Sequence, residues 1–257
     1  MKNNLANFGF NSGRNSAHTA RTMMLDELQS LLVYVDNLSA GKIDYRQAIE
    51  IENCLSKRSG KTRTLTFRHL TELYALDPDI ILFRAILFFW ARDPAAQPLL
   101  ALLCAYARDT LLRSVVPLIL GLPNGVRLSR EQMEEFIDNL EPGRFSPATL
   151  KSTAQNLNSS LTQSGHLKGR IRKFRDRATA SAGSISYALF LGYLTGARGE
   201  FLFRSEYIKL LDCPFDKAIE LAEEASRKGW IVFKRIGDVI EVLFPNLINP
   251  KEMELLR

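Results

Sequence analysis

Six cations crowd into the ten residues from Lys168 to Arg177: Lys168, Arg170, Arg172, Lys173, Arg175 and Arg177, against one acid, Asp176. Guanidinium and ammonium groups at this density suit one chemistry above others, the neutralisation of a polyanion such as a phosphate backbone. Residues 141–180 hold eight Lys/Arg and two Asp/Glu, a net of +6. The whole chain of 257 residues carries 34 Lys/Arg and 28 Asp/Glu, also +6, so the rest of it sums to zero. A solvated face is the plain alternative for any charge run. Concentration of the entire excess in one window favours a binding surface.

The residues just before the run supply a second clue. Ser146-Pro147 reads as a helix cap followed by a first-turn proline. Leu150, Ala154, Leu157 and Leu161 then recur at spacings of 4, 3 and 4, the stripe of an amphipathic helix with Gly165 just past its end. The opposite face displays Lys151, Ser152, Thr153, Gln155, Asn156, Asn158, Ser159, Thr162 and Gln163. Ser, Thr and Asn are poor helix formers, so their concentration on a surface helix asks for a reason. Short hydrogen-bonding side chains without acids suit phosphates and base edges in a major groove. A polar protein interface is the alternative. Beyond Gly165, Leu167, Gly169 and Ile171 alternate with Lys168, Arg170 and Arg172, the period of a strand.

A helix over 129–140, capped by Ser129, precedes this pair, so the order is helix, helix, basic ribbon, that of a winged helix-turn-helix. The DNA-facing residues predicted from it are Lys151, Thr153, Asn156 and Gln163 on the helix. Lys168, Arg170, Arg172, Lys173 and Arg175 complete the set on the ribbon. Leu150, Leu157 and Leu161 are predicted to be buried.

Other chemistries find little support. Ser59-Gly60-Lys61-Thr62 ends like a P-loop, but Leu55 stands where the first glycine is required and no strand precedes it. No Asp-x-Lys or Glu-x-Lys occurs, which removes the metal-and-lysine signature of restriction-type nucleases. His18, His69 and His166 are scattered, without metal-ligand spacing. The expectation is a protein that is not an enzyme, with no cofactor, no metal and no small-molecule ligand.

The elements that must position the basic run are mainly helical. Helices are predicted over 23–38, 44–55 (capped by Asp44) and 64–76, with a basic loop over 57–63. Pro78 opens the next helix, and Asp93-Pro94 ends it and starts another. The apolar runs 80–91 and 99–120 are read as buried helices rather than membrane spans. Arg84 interrupts the first, and Arg108, Asp109 and Arg113 lie within the second. Residues 118–126 read as a linker. The last third repeats the plan: helices over 184–194, 201–211 and 214–228, then strands over 230–234 and 239–244. Its third helix is acidic, with Glu220, Glu223 and Glu224 on one side, and residues 181–257 total −1. Carboxylates meet repulsion at a phosphate surface, so this second element is expected to pack or to bind a partner, with Trp230, Ile231, Phe233, Val242 and Phe244 in its core.

The fold expectation is thus mainly α, an N-terminal helical bundle followed by winged helix-turn-helix-like elements with short β-hairpins. The divisions are 1–20, a disordered leader rich in Asn, Ser and Gly and without the apolar stretch of a signal peptide; 21–120, the bundle; 127–180, the basic element; and 181–257, the second element. Three separated cysteines, Cys54, Cys104 and Cys213, fit a reduced cytoplasmic compartment.

The order of a helical N-terminal half, the loop Leu55-Ser-Lys-Arg-Ser-Gly-Lys-Thr62, Ser146-Pro-x-Thr-x-Lys-Ser-x-x-Gln155 and Ser160-Leu-Thr-x-Ser-Gly-His-Leu-Lys168 resembles the BrxA family of BREX phage-defence systems. The resemblance covers roughly 25–245 and rests on order and spacing; the Asn-rich leader departs from it. It implies a non-catalytic, DNA-binding defence component, with other BREX proteins as partners, and it points to Lys151, Lys168, Arg170 and Arg172. From the residues alone, double-stranded DNA is the favoured partner. An RNA ligand, or an acidic protein docked on the basic ribbon, are the alternatives, and no membrane association is expected.

Overall fold

The structure, a computed structural model, describes residues 2–11, 13–37 and 40–256, with side chains from Leu5 onward. Met1 and Ser12 of the expected leader, and Leu38 at the predicted end of the first long helix, lie outside the described residues. The chain begins with α1 (Lys2–Asn7) and a single 3-10 turn at Ala17–Thr19. The helices α2 (Leu25–Tyr34), α3 (Lys42–Glu50), α4 (Gly60–Tyr74), α5 (Ile81–Trp90), α6 (Gln97–Arg108) and α7 (Thr110–Gly121) follow. Then come β1 (Arg127–Leu128), α8 (Arg130–Leu140), α9 (Pro147–Gln163), β2 (Leu167–Lys168) and β3 (Lys173–Arg175). The last third holds α10 (Ala182–Leu194), α11 (Glu206–Lys209), α12 (Phe215–Arg227), β4 (Val232–Ile236), β5 (Val239–Leu243) and α13 (Pro250–Leu255). The protein is mainly helical with two small antiparallel sheets, ordered β1-β3-β2 and β4-β5. Among the described residues, no helix is long and apolar enough to cross a membrane.

Local chemistry accounts for most element ends. Ser129 Oγ accepts from Gln132 N at 3.1 Å while the Gln132 side chain accepts from Ser129 N at 2.8 Å, a reciprocal cap on α8. Ser146 Oγ accepts from Thr149 N at 3.3 Å and Pro147 occupies the first turn of α9. That helix ends in two crossed bonds, His166 N to Leu161 O at 2.9 Å and Gly165 N to Thr162 O at 3.1 Å, with Gly165 left-handed at φ 86°. Asp44 accepts from Gly41 N at 2.7 Å from inside α3, so Gly41, not Asp44, is the cap. The predicted basic loop 57–63 is already helical from Gly60, because Ser59 Oγ accepts from Thr62 N at 3.2 Å and starts α4 there.

One contiguous core runs from Phe8 to Leu247. At its centre lies α10, in which every residue but Tyr193 is buried and which packs against α5, α6, α11 and α12. The last third is therefore threaded into the first half. Ile231, Val242 and Phe244 are buried in that core, and Trp230 and Phe233 pack against it half-buried.

The predicted single helix over 99–120 is two helices, and the residue that divides them organises the N-terminal segment. Asp109 leaves the helical region (φ −122°, ψ 109°), and its Oδ1 accepts from Leu111 N at 3.1 Å and Leu112 N at 3.0 Å, capping α7. The same carboxylate accepts from Ser16 Oγ at 2.8 Å and from His18 Nδ1 at 2.9 Å. Around it, Arg108 caps the end of α4 through Glu72 O (3.0 Å) and Thr71 O (3.1 Å), and also donates to Gly9 O. Arg113 does the same for α6 through Ala107 O (2.8 Å), and reaches Asn11 O at 3.3 Å. The three charges that argue against a membrane span are the anchors of residues 9–18. The leader expected to be disordered is packed where it is described: Phe8, Ala17 and His18 are buried. Its polar composition conceals this, because hydrogen bonds to distant residues join the packing of a few apolar side chains, Leu5, Phe8 and Phe10.

Burial alone would raise the Asp109 pKa, but the charge and hydrogen bond of His18, with the Leu112 amide and Ser16, outweigh it and hold it at about 2. A carboxylate depressed in the fold stabilises at pH above its unfolded value, and that contribution is lost as pH falls from about 4 through about 2. Asp109→Asn is expected to lower unfolding free energy by about 1–3 kcal/mol at neutral pH, since it weakens a buried acceptor shared by the α7 amides, Ser16 and His18. The variant should also lose the added acid sensitivity over that window, in urea or thermal unfolding followed against pH.

Candidate nucleic-acid interface

The predicted basic ribbon 166–177 is a tight hairpin in which β2 pairs with β3. β3 lies between β1 and β2, with Phe174 opposite both Arg127 and Lys168. The strand β1 falls at the end of the expected linker and is too short to carry a sequence signal. The turn over 169–172 depends on Gly169, which is left-handed at φ 97° and approaches Arg172 O so closely that a Cβ would lie 2.1 Å from it. Lys173 Nζ donates to Gly169 O at 2.7 Å and closes the turn, and partial burial lowers its pKa.

The hairpin stands on a buried base. Arg175 is 3% exposed, donates to Asp212 Oδ2 at 2.6 Å and to His166 O at 3.3 Å, and also reaches Asp176 O. His166, fully buried, donates from Nε2 to Leu210 O at 2.8 Å, while Nδ1 faces the Ser164 hydroxyl at 2.9 Å. Burial pushes its pKa down to about 4, so the ring is neutral at physiological pH. Both contacts tie the hairpin to the stretch just after α11.

The sequence-predicted contacts separate into three groups. Arg170 and Arg172 are exposed and Lys173 is half-buried; all three line a cleft of about 500 Å³ between the hairpin and α9. Lys151 and Lys168 are exposed outside that cleft, Lys168 paired with Asp176 at 3.3 Å. Thr153 and Arg175 are buried, which removes them from any contact surface, and Asn156 and Gln163 are half-buried away from the cleft. The Asn156 amide donates to His18 O at 3.0 Å, because the 3-10 turn at Ala17–Thr19 packs along that flank of α9. The stripe of Leu157 and Leu161 is buried as expected, and Leu150 is half-buried.

The face of α9 left open turns one flank further round. Exposed Gln155, half-buried Ser159 and buried Asn158 line the cleft together with Arg127, Ser129 and Arg130 from β1 and the start of α8. Asn158, 5% exposed, leaves its Oδ1 without a hydrogen-bond partner there. The acid in the lining, Glu131, is engaged by Arg130 at 2.8 Å and by its own helix start, and its pKa is lowered. The cleft thus joins four guanidinium groups and one ammonium to uncharged hydrogen-bonding side chains, with Arg130 also bound to Glu134 at 2.7 Å.

A second alignment has no local sequence signature, since its members lie at 18, 109 and 160. His18 Nε2 is 3.0 Å from Ser160 Oγ and Nδ1 is 2.9 Å from Asp109, the connectivity of a hydrolase triad. Here it is a strut. Ser160 and His18 are fully buried, and Ser160 Oγ already accepts from Met23 N at 2.8 Å and donates to Asn156 O at 2.9 Å. No substrate carbonyl can approach that oxygen. Among the described residues, no group of His, Cys, Asp and Glu is arranged to hold a metal ion.

No protein-family profile matches the chain, and no curated protein matches it.

The buried and exposed cations of the hairpin should respond oppositely. Arg175→Ala is expected to cost about 3 kcal/mol or more of stability by leaving Asp212 unpaired, whereas Arg170→Ala and Arg172→Ala should stay within about 0.5 kcal/mol in thermal unfolding. Asn156→Asp should also destabilise, by about 1–3 kcal/mol, since it sets a carboxylate against the His18 carbonyl.

Proposed function

We propose that this chain is a non-catalytic double-stranded-DNA-binding component of a BREX-type phage-defence system. In this reading β1, α8, α9, β2 and β3 form a winged helix-turn-helix-like element whose α9 enters the major groove. The cleft seats the sugar-phosphate strand that borders that groove. The reading rests above all on this cleft, where Arg127, Arg170, Arg172 and Lys173 meet Gln155 and Ser159 of α9 at one opening. The resemblance to the BrxA family supplies the defence context and the expectation of other BREX proteins as partners. Stretches from α10 to β5 act in this reading as a second element serving packing or partner contact. Glu220 and Glu223 on its α12 are exposed, with Lys217 bound to Glu220 at 2.9 Å and Lys228 to Glu224 at 2.5 Å.

Competition among duplex DNA, single-stranded DNA and RNA at several salt concentrations tests the class of ligand. Preference for RNA, or binding of neither nucleic acid, would replace the reading with an RNA binder or with a scaffold for an acidic protein. Arg170→Ala with Arg172→Ala should weaken duplex binding at least tenfold near physiological salt. The salt slope should fall by about 0.9 per lost phosphate contact. Reversal of Glu220, Glu223 and Glu224 to Lys should leave duplex affinity equal or slightly tighter through the added positive field. Loss of binding in that folded variant would make the second element a reader.

A further inference from the structure

Ile171 is 92% exposed, more than any other large apolar side chain among the described residues. Scattered surface apolar residues need no explanation, but the position of this one does. It stands at the end of a turn fixed by Gly169 and by the Lys173 bond to Gly169 O, between the exposed cations Arg170 and Arg172. Among the described residues nothing packs over it, and it shares the cleft with Gln155 and Ser159 of α9.

We propose that Ile171 is a wedge that enters the DNA minor groove, partly unstacks one base step and so bends the duplex. The proposal rests on the DNA-binding reading above and deepens it. If a sugar-phosphate strand lies in the cleft with α9 in the major groove on one side, the hairpin tip lies on the strand's other side. Across one strand from the major groove is the minor groove. A branched aliphatic group flanked by two guanidinium groups is the composition that minor-groove wedges use: the cations hold the narrow, negative groove walls while the apolar group slips between bases. Steps of the TpA type unstack most cheaply, so the wedge would favour sites that carry one beside the bound major groove. The turn is tight and closed by its own hydrogen bond, so the tip is presented without an ordering cost.

The test uses the full chain and a short duplex with a central TpA step, carrying donor and acceptor dyes at its ends or 2-aminopurine at the step. Binding of the native protein should raise energy transfer between the ends and brighten the 2-aminopurine. Ile171→Ala should bind about tenfold more weakly and lose both signals. Its salt slope should be unchanged, because no cation is removed. Its thermal stability should match the native protein, since the side chain has no packing to lose. Ile236→Ala, at the exposed tip of the β4–β5 hairpin, is the matched control and should leave affinity, bend and fluorescence intact. A native protein that binds duplex without bending it overturns the wedge, as does an Ile171→Ala variant that keeps both signals. Failure of the native protein to bind any duplex overturns instead the DNA-binding reading beneath it.

Discussion

A single buried carboxylate sets the frame in which everything else is placed. Asp109 interrupts a run of apolar residues that would otherwise continue as one helix, and it caps the second half of that run with two amide hydrogen bonds. Its remaining acceptor capacity goes to Ser16 and His18, and through His18 to Ser160 of α9. Three parts of the chain far apart in sequence therefore share one polar centre in an apolar surround. Buried polar groups of this kind are costly unless every member is satisfied, and here both ring nitrogens of His18 face an oxygen. Leu5, Phe8 and Phe10 pack the start of the N-terminal segment against the core, and this centre with the carbonyl contacts of Arg108 and Arg113 fixes the more polar residues around them.

That anchoring has a direct consequence for the surface of α9. The helix carries Ser, Thr, Asn and Gln around more than half of its circumference, and two flanks compete for the role of binding face. The anchored segment covers the flank of Asn156 and Ser160, whose polar groups are spent on His18 and Met23. On the flank toward the hairpin Gln155 is exposed, Ser159 is half-buried and Asn158 is buried. One polar composition thus serves two ends, an internal hydrogen-bonded seam and an open wall.

Where the chemistry is local, the sequence was readable. The Ser129 and Ser146 caps, Pro147 at the first turn of α9, Gly165 at its end and the Leu157–Leu161 stripe each depend on residues within a few positions of one another. The mainly helical class follows from the same periodicity. What was not readable depends on distant partners. Nothing near Asp109 shows that His18 will meet it, nothing near Arg175 shows that Asp212 will, and two-residue β1 is defined by pairing with β3 rather than by its own pattern. Thr153 and Asn156 belong to the same group. A polar residue on a helix reads as surface until something covers it, and for Asn156 the cover lies about 140 positions away.

In the DNA-binding reading proposed above, the division of the basic run between tip and base would also decide how much binding free energy the hairpin delivers. A cation at the tip contributes only if its backbone is already in place, since a mobile loop would spend part of each phosphate contact on its own ordering. Arg175 supplies that constraint without touching any ligand. Its guanidinium ties β3 to Asp212, and neutral His166 ties the start of the hairpin to Leu210, so both legs are fastened to the stretch between α11 and α12. Both fastenings are buried and therefore little screened by salt, whereas Arg170 and Arg172 are fully open to it. The run of six cations is in physical terms two populations. One is withdrawn from solvent to make a rigid stem, and the other is projected from that stem into solvent.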